Sequence, residues 1–527
     1  MSLQCDFDES FSSPVRRKRK ADGELDGISG PRSHAEADAW VDSTMKLLRD
    51  RGLREFGVDF ADRLLQALQP GTGICMRSDY SGLGGPEEAW WQIAKALRLD
   101  HEVITCQRCS DIDAAAQYVL LHRSKASGCS RSCCVLGDIR ERCSDGVLQA
   151  LESLQTDFLA EANRICARGN SGESCESRDA VYKRLGKQFV KDAFGLLVQE
   201  MPVMPATSSA PDQVQVPCLS HNRSCPAFPS PQQGFSGLLC SVAGIICYDF
   251  SPMGAGKRFL GNSAIPFLIW ARERLCSQED FFVVECVTNF DDETLAELLA
   301  DSYQMHTLRA CPSLFGLPVT RDRKYMVFLA RRSLVWCDAV NSVGPQEAFR
   351  KLFARPVVMR GDELLRAPDA AVHDFVSSLA VARGLPESGS GSVAWSCYLA
   401  MSPANRQSVR DHEQSLQAAG FAEQAAVLTN IAQRASHMGP VLSGFAPALL
   451  RSSLLWSFRL RRIVLPAEHL ELQGYSLWGN EERRSVVSDV LPSLRSSSLR
   501  SLAGNAMHIQ SIGSVLMFVV SCTVRQQ

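Results

Sequence analysis

The chain of 527 residues is 45% hydrophobic and 22% charged, which supplies a large core and predicts two to four structural units of roughly 100 to 200 residues. A formal net charge of -2 excludes a generally basic nucleic-acid coat, so any phosphate contact has to come from local patches. The N-terminus MSLQCDFDESFSS has no apolar leader, no apolar run reaches the ~18 residues of a bilayer span, and the 20 scattered cysteines read as reduced thiols of an intracellular protein with no membrane partner.

Residues 1–33 read as a disordered tail. Its run Arg16-Arg17-Lys18-Arg19-Lys20 cannot fold on itself and stays available to a partner, as a nuclear import signal or simply as a solvated segment. Residues 34–77 form a helical lead-in, with Trp40, Val41, Met45, Leu47 and Leu48 at helical spacing before Pro70-Gly71. From 78 to 335 short apolar runs alternate with helical patterns. Ile74-Cys75-Met76 leads into the turn Ser81-Gly82-Leu83-Gly84-Gly85 and a helix. A strand over Glu102 to Cys106 precedes Asp111-Ile112-Asp113, and Cys134 to Asp138 is the next.

The alternation breaks at an insertion over about 145–237, charged helices to 200 and then a Pro, Ser and Gln-rich linker. It resumes with Leu238 to Cys247, a helix over Ala264 to Leu275, and strands over Phe281 to Val287 and Tyr325 to Ala330. The prediction is an α/β domain with a Rossmann-like, doubly wound and mostly parallel sheet. A second, mostly helical domain covers 336–462, punctuated at Gly389-Ser390-Gly391, and 463–527 follows it.

Ligands of such sheets bind outside the carboxyl ends of the strands. The glycine turn suits close approach of a cofactor to the backbone, Asp111 suits ribose hydroxyls and Asp138 suits an adenine amino group. Singly these are an ordinary tight turn, a cap and a loop acid; in this order they point to a nucleoside-bearing cofactor. Cys247 ends a strand and precedes a loop with Gly254, Gly256, Lys257, Arg258 and Gly261 that could close over a substrate phosphate, although a buried structural thiol is the commoner case.

Cys106 and Cys109 with Cys129, Cys133 and Cys134 have spacings open to a four-cysteine zinc site. They overlap the ribose-binding strand, and no metal is expected. Trp456-Ser457-Phe458-Arg459-Leu460-Arg461-Arg462 reads as a nucleic-acid contact or as an edge strand.

Taken in order, these segments resemble the motif set of the DNA (cytosine-5) methyltransferase family. Tyr80-Ser81-Gly82-Leu83-Gly84-Gly85 resembles its cofactor turn, Asp111-Ile112 its ribose motif, Asp138-Ile139 its adenine motif and Cys247-Tyr248-Asp249-Phe250-Ser251 its nucleophile motif. Glu285-Cys286-Val287 is similar to Glu-Asn-Val, and Gly316 to Arg323 to the paired-arginine motif. Leu465 to Tyr475 resembles the ninth motif, and Gly504-Asn505-Ala506 the segment that completes the cofactor pocket.

The resemblance implies S-adenosyl-L-methionine as cofactor and methylation of carbon 5 of cytosine in DNA on a flipped base. It implies Cys247 as nucleophile, Glu285 on the ring, and Arg321 and Arg323 orienting the base. It also implies 336–462 as target-recognition domain and, with the basic tail, a nuclear location. RNA as substrate, or a noncatalytic regulatory homologue, stays open. The chain departs from the family at Ser78, Ile245, Ile246, Cys286 and Val319.

Overall fold

The computed structural model describes residues 28–126, 133–170, 176–200, 214–227, 235–245, 247–251, 254–277, 279–385, 393–420, 427–438, 444–479 and 481–526. The basic run 16–20, Cys129, Ile246 and the punctuation at 389–391 lie outside them.

The strands of the main sheet are β1 (Ile74–Asp79), β2 (Ile104–Ser110), β3 (Cys134–Leu136), β4 (Gln215–Cys218), β5 (Arg223–Pro226), β6 (Leu238–Gly244), β7 (Phe281–Cys286), β8 (Tyr303–Ala310) and β9 (Arg323–Ala330). They form one nine-stranded sheet in the order β5-β4-β3-β2-β1-β6-β7-β9-β8. β1, β2, β3, β6 and β7 run parallel, so their carboxyl ends share one edge. Antiparallel β4–β5 and β8–β9 extend the two sides. The order reverses between β1 and β6, and this switch point is where an open α/β sheet leaves a crevice.

Alternation along the buried strands splits the core in two. Phe281 and Val283 of β7 face a cluster with Trp40, Phe60 and Leu64 of the lead-in and with helix Ile509–Cys522. Phe282, Val284 and Cys286 face a cluster with helices Arg178–Glu200 and Ala264–Ser277. Within the C-terminal stretch Ser496–Cys522 an 18-residue window is, contrary to the sequence reading, apolar enough to cross a membrane by length and composition, but 94% of that window is buried inside the fold. Trp40 presses so closely on this helix that a Cβ at Gly513 would lie 2.3 Å from its ring, which explains the glycine.

Three strands in the main sheet escaped the sequence reading. β8 is an edge strand with exposed Gln304 and Arg309, and β4–β5 is a hairpin inside the stretch read as linker. Residues 336–462 are helical as expected but also hold a three-stranded sheet of Leu428–Asn430, Leu455–Ser457 and Arg462–Ile463. Leu455–Ser457 is its central strand. Trp456 and Phe458 are buried there, and Arg459, Arg461 and Arg462 pair with Asp362, Glu413 and Glu468. These rings cannot stack on a base, which corrects the reading of this segment as an aromatic nucleic-acid contact.

Candidate active site

The glycine turn follows β1. Tyr80, Gly82 and Gly84 all have left-handed backbone, with φ of 53°, 55° and 73°. Ser81 is buried in the turn, its Oγ 2.6 Å from Ser78 Oγ and accepting the Ser110 N–H at 3.1 Å. Leu83 is packed in the core, and helix Gly85–Leu97 starts at the turn with its N–H groups directed toward the sheet edge. Asp111, at the end of β2, accepts the Gly82 N–H at 2.7 Å and the Asp113 N–H at 2.9 Å. Burial raises its carboxyl above the usual range. Ile112 beside it is 59% exposed, an apolar surface at the mouth of the turn. Asp138 after β3 caps the short turn Ile139–Arg142 through the Arg140 N–H at 3.0 Å and pairs with the Arg140 guanidinium at 2.6 Å; Ile139 is buried.

The C-terminal return reaches the same place. A Cβ on Gly85 would meet Met507 Cβ at 3.3 Å, and one on Gly244 would meet Met507 Cε at 2.9 Å. Gly504 sits where a Cβ would lie 2.4 Å from the Leu450 backbone; Asn505 is exposed and Ala506 buried.

Beneath the turn, Asp79 is fully buried. Its oxygens lie 2.6 Å from Arg108, 2.9 Å from Arg142 and 2.7 Å from the Ser110 hydroxyl. Burial alone would push this carboxyl up, but Arg108, Arg142 and Arg274 hold it well below the usual range. The network continues from Arg142 to Glu273 at 3.0 Å and from Arg274 to Glu279 at 2.6 Å.

Cys247 lies just beyond β6. Its carbonyl accepts the Phe250 and Ser251 N–H groups at 3.0 and 2.9 Å, so it opens a tight turn. Phe250 anchors that turn between Phe259 and Phe290, ring centres 4.9 and 4.8 Å away. Buried Asp249 bonds the Ser263 hydroxyl at 2.8 Å, which only glycine at 261 allows, since a Cβ there would lie 2.0 Å from Asp249 Cγ.

Glu285 and Arg323 stand at the same edge, because Gly244 pairs with Glu285 across β6–β7 and Glu285 with Tyr325 across β7–β9. Glu285 Oε2 is 4.0 Å from the point a Gly244 Cβ would occupy, and the Tyr80 carbonyl is 3.5 Å from that point. Arg323 Nε lies 3.0 Å from Glu285 Oε1. The contact is an ion pair off the hydrogen-bond direction, and this buried Oε1 has no hydrogen-bond donor among the described residues. Arg321 is buried and aims at the Gly504 and Leu449 carbonyls at 3.3 and 3.5 Å, tying the C-terminal return to the arginine loop; burial and neighbouring Arg323 lower it to about 10.

The Cys247 thiol is lowered to about 7, first by a hydrogen bond from Cys286 and then by Arg323 and Arg321, against burial and the charge of Glu285. Burial and that donated bond push Cys286 up. Cys286, a departure from the resemblance, is thus the partner that stabilises the thiolate. Sequence reasoning missed this, although its place next to Glu285 on the strand was the available signal. Val319, another departure, is a buried anchor bridged to Ala446.

Two clefts, one lined by His34, Asp38 and Arg366 and one by Met76, Trp90 and Cys106, share no residue with this site. Its chemistry, rather than its depth, marks it. The donor set suits a sulfonium nucleoside: the Asp111 oxygens each keep a lone pair, Ile112 offers an apolar face, and the buried Tyr80 hydroxyl has no partner among the described residues.

The cysteines grouped in the sequence divide. Cys133 Sγ lies 3.3 Å from Cys106 and 3.8 Å from Cys109, whereas Cys134 points the other way, because neighbours on an extended chain face opposite sides.

Neither a protein-family model nor a curated protein sequence matches the chain. Among solved structures, the Dnmt2 methyltransferase of S. pombe aligns over 84% of this chain and 97% of its own at 11% identity and a TM-score of 0.38. The Entamoeba histolytica methyltransferase EhMeth aligns over 85% and 98% at 9% identity and a TM-score of 0.38. A DNMT2 variant from Spodoptera frugiperda aligns over 85% and 99% at 11% identity and a TM-score of 0.35.

Proposed function

We propose that this chain is a divergent cytosine-5 methyltransferase that uses S-adenosyl-L-methionine and acts on DNA. The observation that carries the reading is the meeting of Cys247, Glu285 and Arg323 at the joined ends of β6, β7 and β9, beside the glycine turn after β1. Asp111, Ile112, Asp138 and the Tyr80 turn would hold the cofactor, which supplies an electrophilic methyl group.

Carbon 5 of cytosine becomes nucleophilic only after addition at carbon 6, and a thiolate suits that reversible step. Cys247 is poised for it, with a thiol lowered to about 7 by Cys286 and the two arginines. Glu285, protonated, would donate to N3 and neutralise the charge that develops there on thiolate addition, while its buried oxygen that lacks a donor accepts from the exocyclic amino group. Arg323 would orient Glu285 and the base together. A base in a duplex cannot reach this edge and has to be flipped out, at a cost of a few kcal/mol that pocket contacts offset.

The test is transfer of labelled methyl from S-adenosyl-L-methionine to duplex DNA, with tRNA and a Cys247→Ser chain in parallel. Transfer to DNA that disappears in the variant is expected. Transfer to tRNA alone would move the substrate to RNA, and cofactor binding without transfer to either would leave a noncatalytic homologue. The basic run 16–20 supports delivery to the nucleus, which a fluorescent fusion lacking it would test by losing nuclear accumulation.

A further inference from the structure

The β4–β5 hairpin is joined to the sheet by little. One Cα pair, Leu136 with Cys218, registers it on β3; the Leu219 N–H donates to the Val135 carbonyl at 2.8 Å, the Ser220 hydroxyl donates to the Cys133 carbonyl at 2.8 Å and accepts the Val135 N–H at 3.2 Å, and Arg108 of β2 donates to the Ala227 carbonyl after β5. Four-residue strands in a two-stranded hairpin are marginal by themselves. The buried apolar set beneath them is Cys134, Leu136, Val216, Cys218, Cys225 and Ala227, too few and too small to hold the hairpin by burial.

Half of that set is thiol, and the thiols converge. The ligand atoms of Cys134, Cys218, His221 and Cys225 all lie within 4.8 Å of one another, the three cysteines buried and the histidine half-buried. His221 Nδ1 is 3.6 Å from Cys134 Sγ, 3.3 Å from Cys218 Sγ and 3.4 Å from Cys225 Sγ. One ring nitrogen carries one proton or one lone pair and cannot satisfy three thiols. A cation among the four atoms can. Zinc bonds of about 2.3 Å to sulfur and about 2.0 Å to nitrogen give tetrahedral S···N edges of roughly 3.5 Å, matching these separations.

We infer that Cys134, Cys218, His221 and Cys225 form a closed, tetrahedral zinc site that staples the β4–β5 hairpin to β3. Four protein ligands leave no open position, so the role is structural. The staple fixes the end of β3, whose next residues are Gly137 and Asp138, and it anchors the chain returning from the inserted helices. The sequence grouping of Cys133 with Cys134 was misleading, because the true partners lie in the insertion and only folding brings them to β3.

The full chain, purified under reducing conditions without chelator or added metal, is expected to carry close to one zinc by elemental analysis. Exchange with cobalt should give intense visible bands of a tetrahedral ion and thiolate charge-transfer absorption in the near ultraviolet. His221→Cys is expected to keep the metal and move the cobalt bands toward those of four thiolates, whereas Cys225→Ser should lose it. The double change Cys106→Ser and Cys109→Ser should keep both metal and spectrum. Less than about a tenth of an equivalent in the wild-type chain, iron in place of zinc, a Cys218–Cys225 disulfide, or a cobalt spectrum unmoved by His221→Cys would each overturn the assignment.

Discussion

The reactivity of Cys247 is decided by its immediate neighbours. A thiol at its ordinary value is only a few per cent ionised at neutral pH. The hydrogen bond from Cys286, helped by Arg323 and Arg321, lowers Cys247 to about 7 and brings it to roughly half thiolate at pH 7. Its thiolate is therefore present above about pH 7 and lost as pH falls through it. Replacing Cys286 by Ala removes the largest lowering influence and leaves burial and Glu285 opposing the arginines, so the inflection is expected to rise toward the ordinary 9.0. The rate of Cys247 alkylation at pH 7, followed by mass spectrometry of its peptide, should fall ~10-fold while the high-pH plateau stays. An unmoved inflection would assign the activation to the arginines alone. The family pattern places asparagine at this position, so the sequence presented Cys286 as a loss; only its packing beside Cys247 shows a replacement.

At the scale of elements, the parallel strands were legible because runs such as Leu238 to Gly244 and Phe281 to Cys286 are apolar but for Ser241 and Glu285 and are bounded by turns. β8 was not, because its edge position leaves Gln304, His306 and Arg309 in the pattern, and β4–β5 was not, because Pro217, Ser224 and Pro226 hide strands only four residues long. The candidate site was legible where chemistry is local, at the glycine turn, Cys247 and Glu285, and illegible where it depends on distant pairing. The network around Asp79 is such a case, joining β1, β2, the turn after Asp138 and helix Ala264–Ser277. Asp79→Asn removes a buried counter-charge that Arg108 and Arg142 share, leaving Glu273 beside them, and is expected to cost about 3 kcal/mol at neutral pH. Because the folded carboxyl titrates below its unfolded value of about 3.9, this contribution is present above that value and fades as pH falls further. Denaturant midpoints of wild type and variant should therefore converge below about pH 4. A gap independent of pH would mean that packing, not charge, sets the cost.

For the molecule as a whole, the insertion is the part whose purpose the sequence left open, and its contacts point to the loop that Cys247 opens. Helix Arg178–Glu200 packs on the segment Arg258–Leu260, with Gly186 so close that a Cβ there would be 3.3 Å from Phe259 Cβ. Asp179 holds Arg258 through two contacts of 2.8 and 2.9 Å, and Gln155 on the other inserted helix donates to the Gly261 carbonyl at 2.8 Å. Phe259 in turn packs on Phe250, three residues along the loop that Cys247 opens. The insertion thus works as a buttress, and its effect should be on positioning rather than on cofactor binding, which in the proposed function would use the turn after β1 and the end of β2. Gly186→Val would push Phe259 outward, and displacement of a nucleophile by about 1 Å costs on the order of 100-fold in rate. Methyl transfer is expected to fall by about that factor while the dissociation constant for S-adenosyl-L-methionine, read by calorimetry on the same preparation, stays within about 2-fold. If rate and cofactor affinity fell together, the inserted helices would be supporting the whole sheet rather than the loop, and the buttress would lose its specific role.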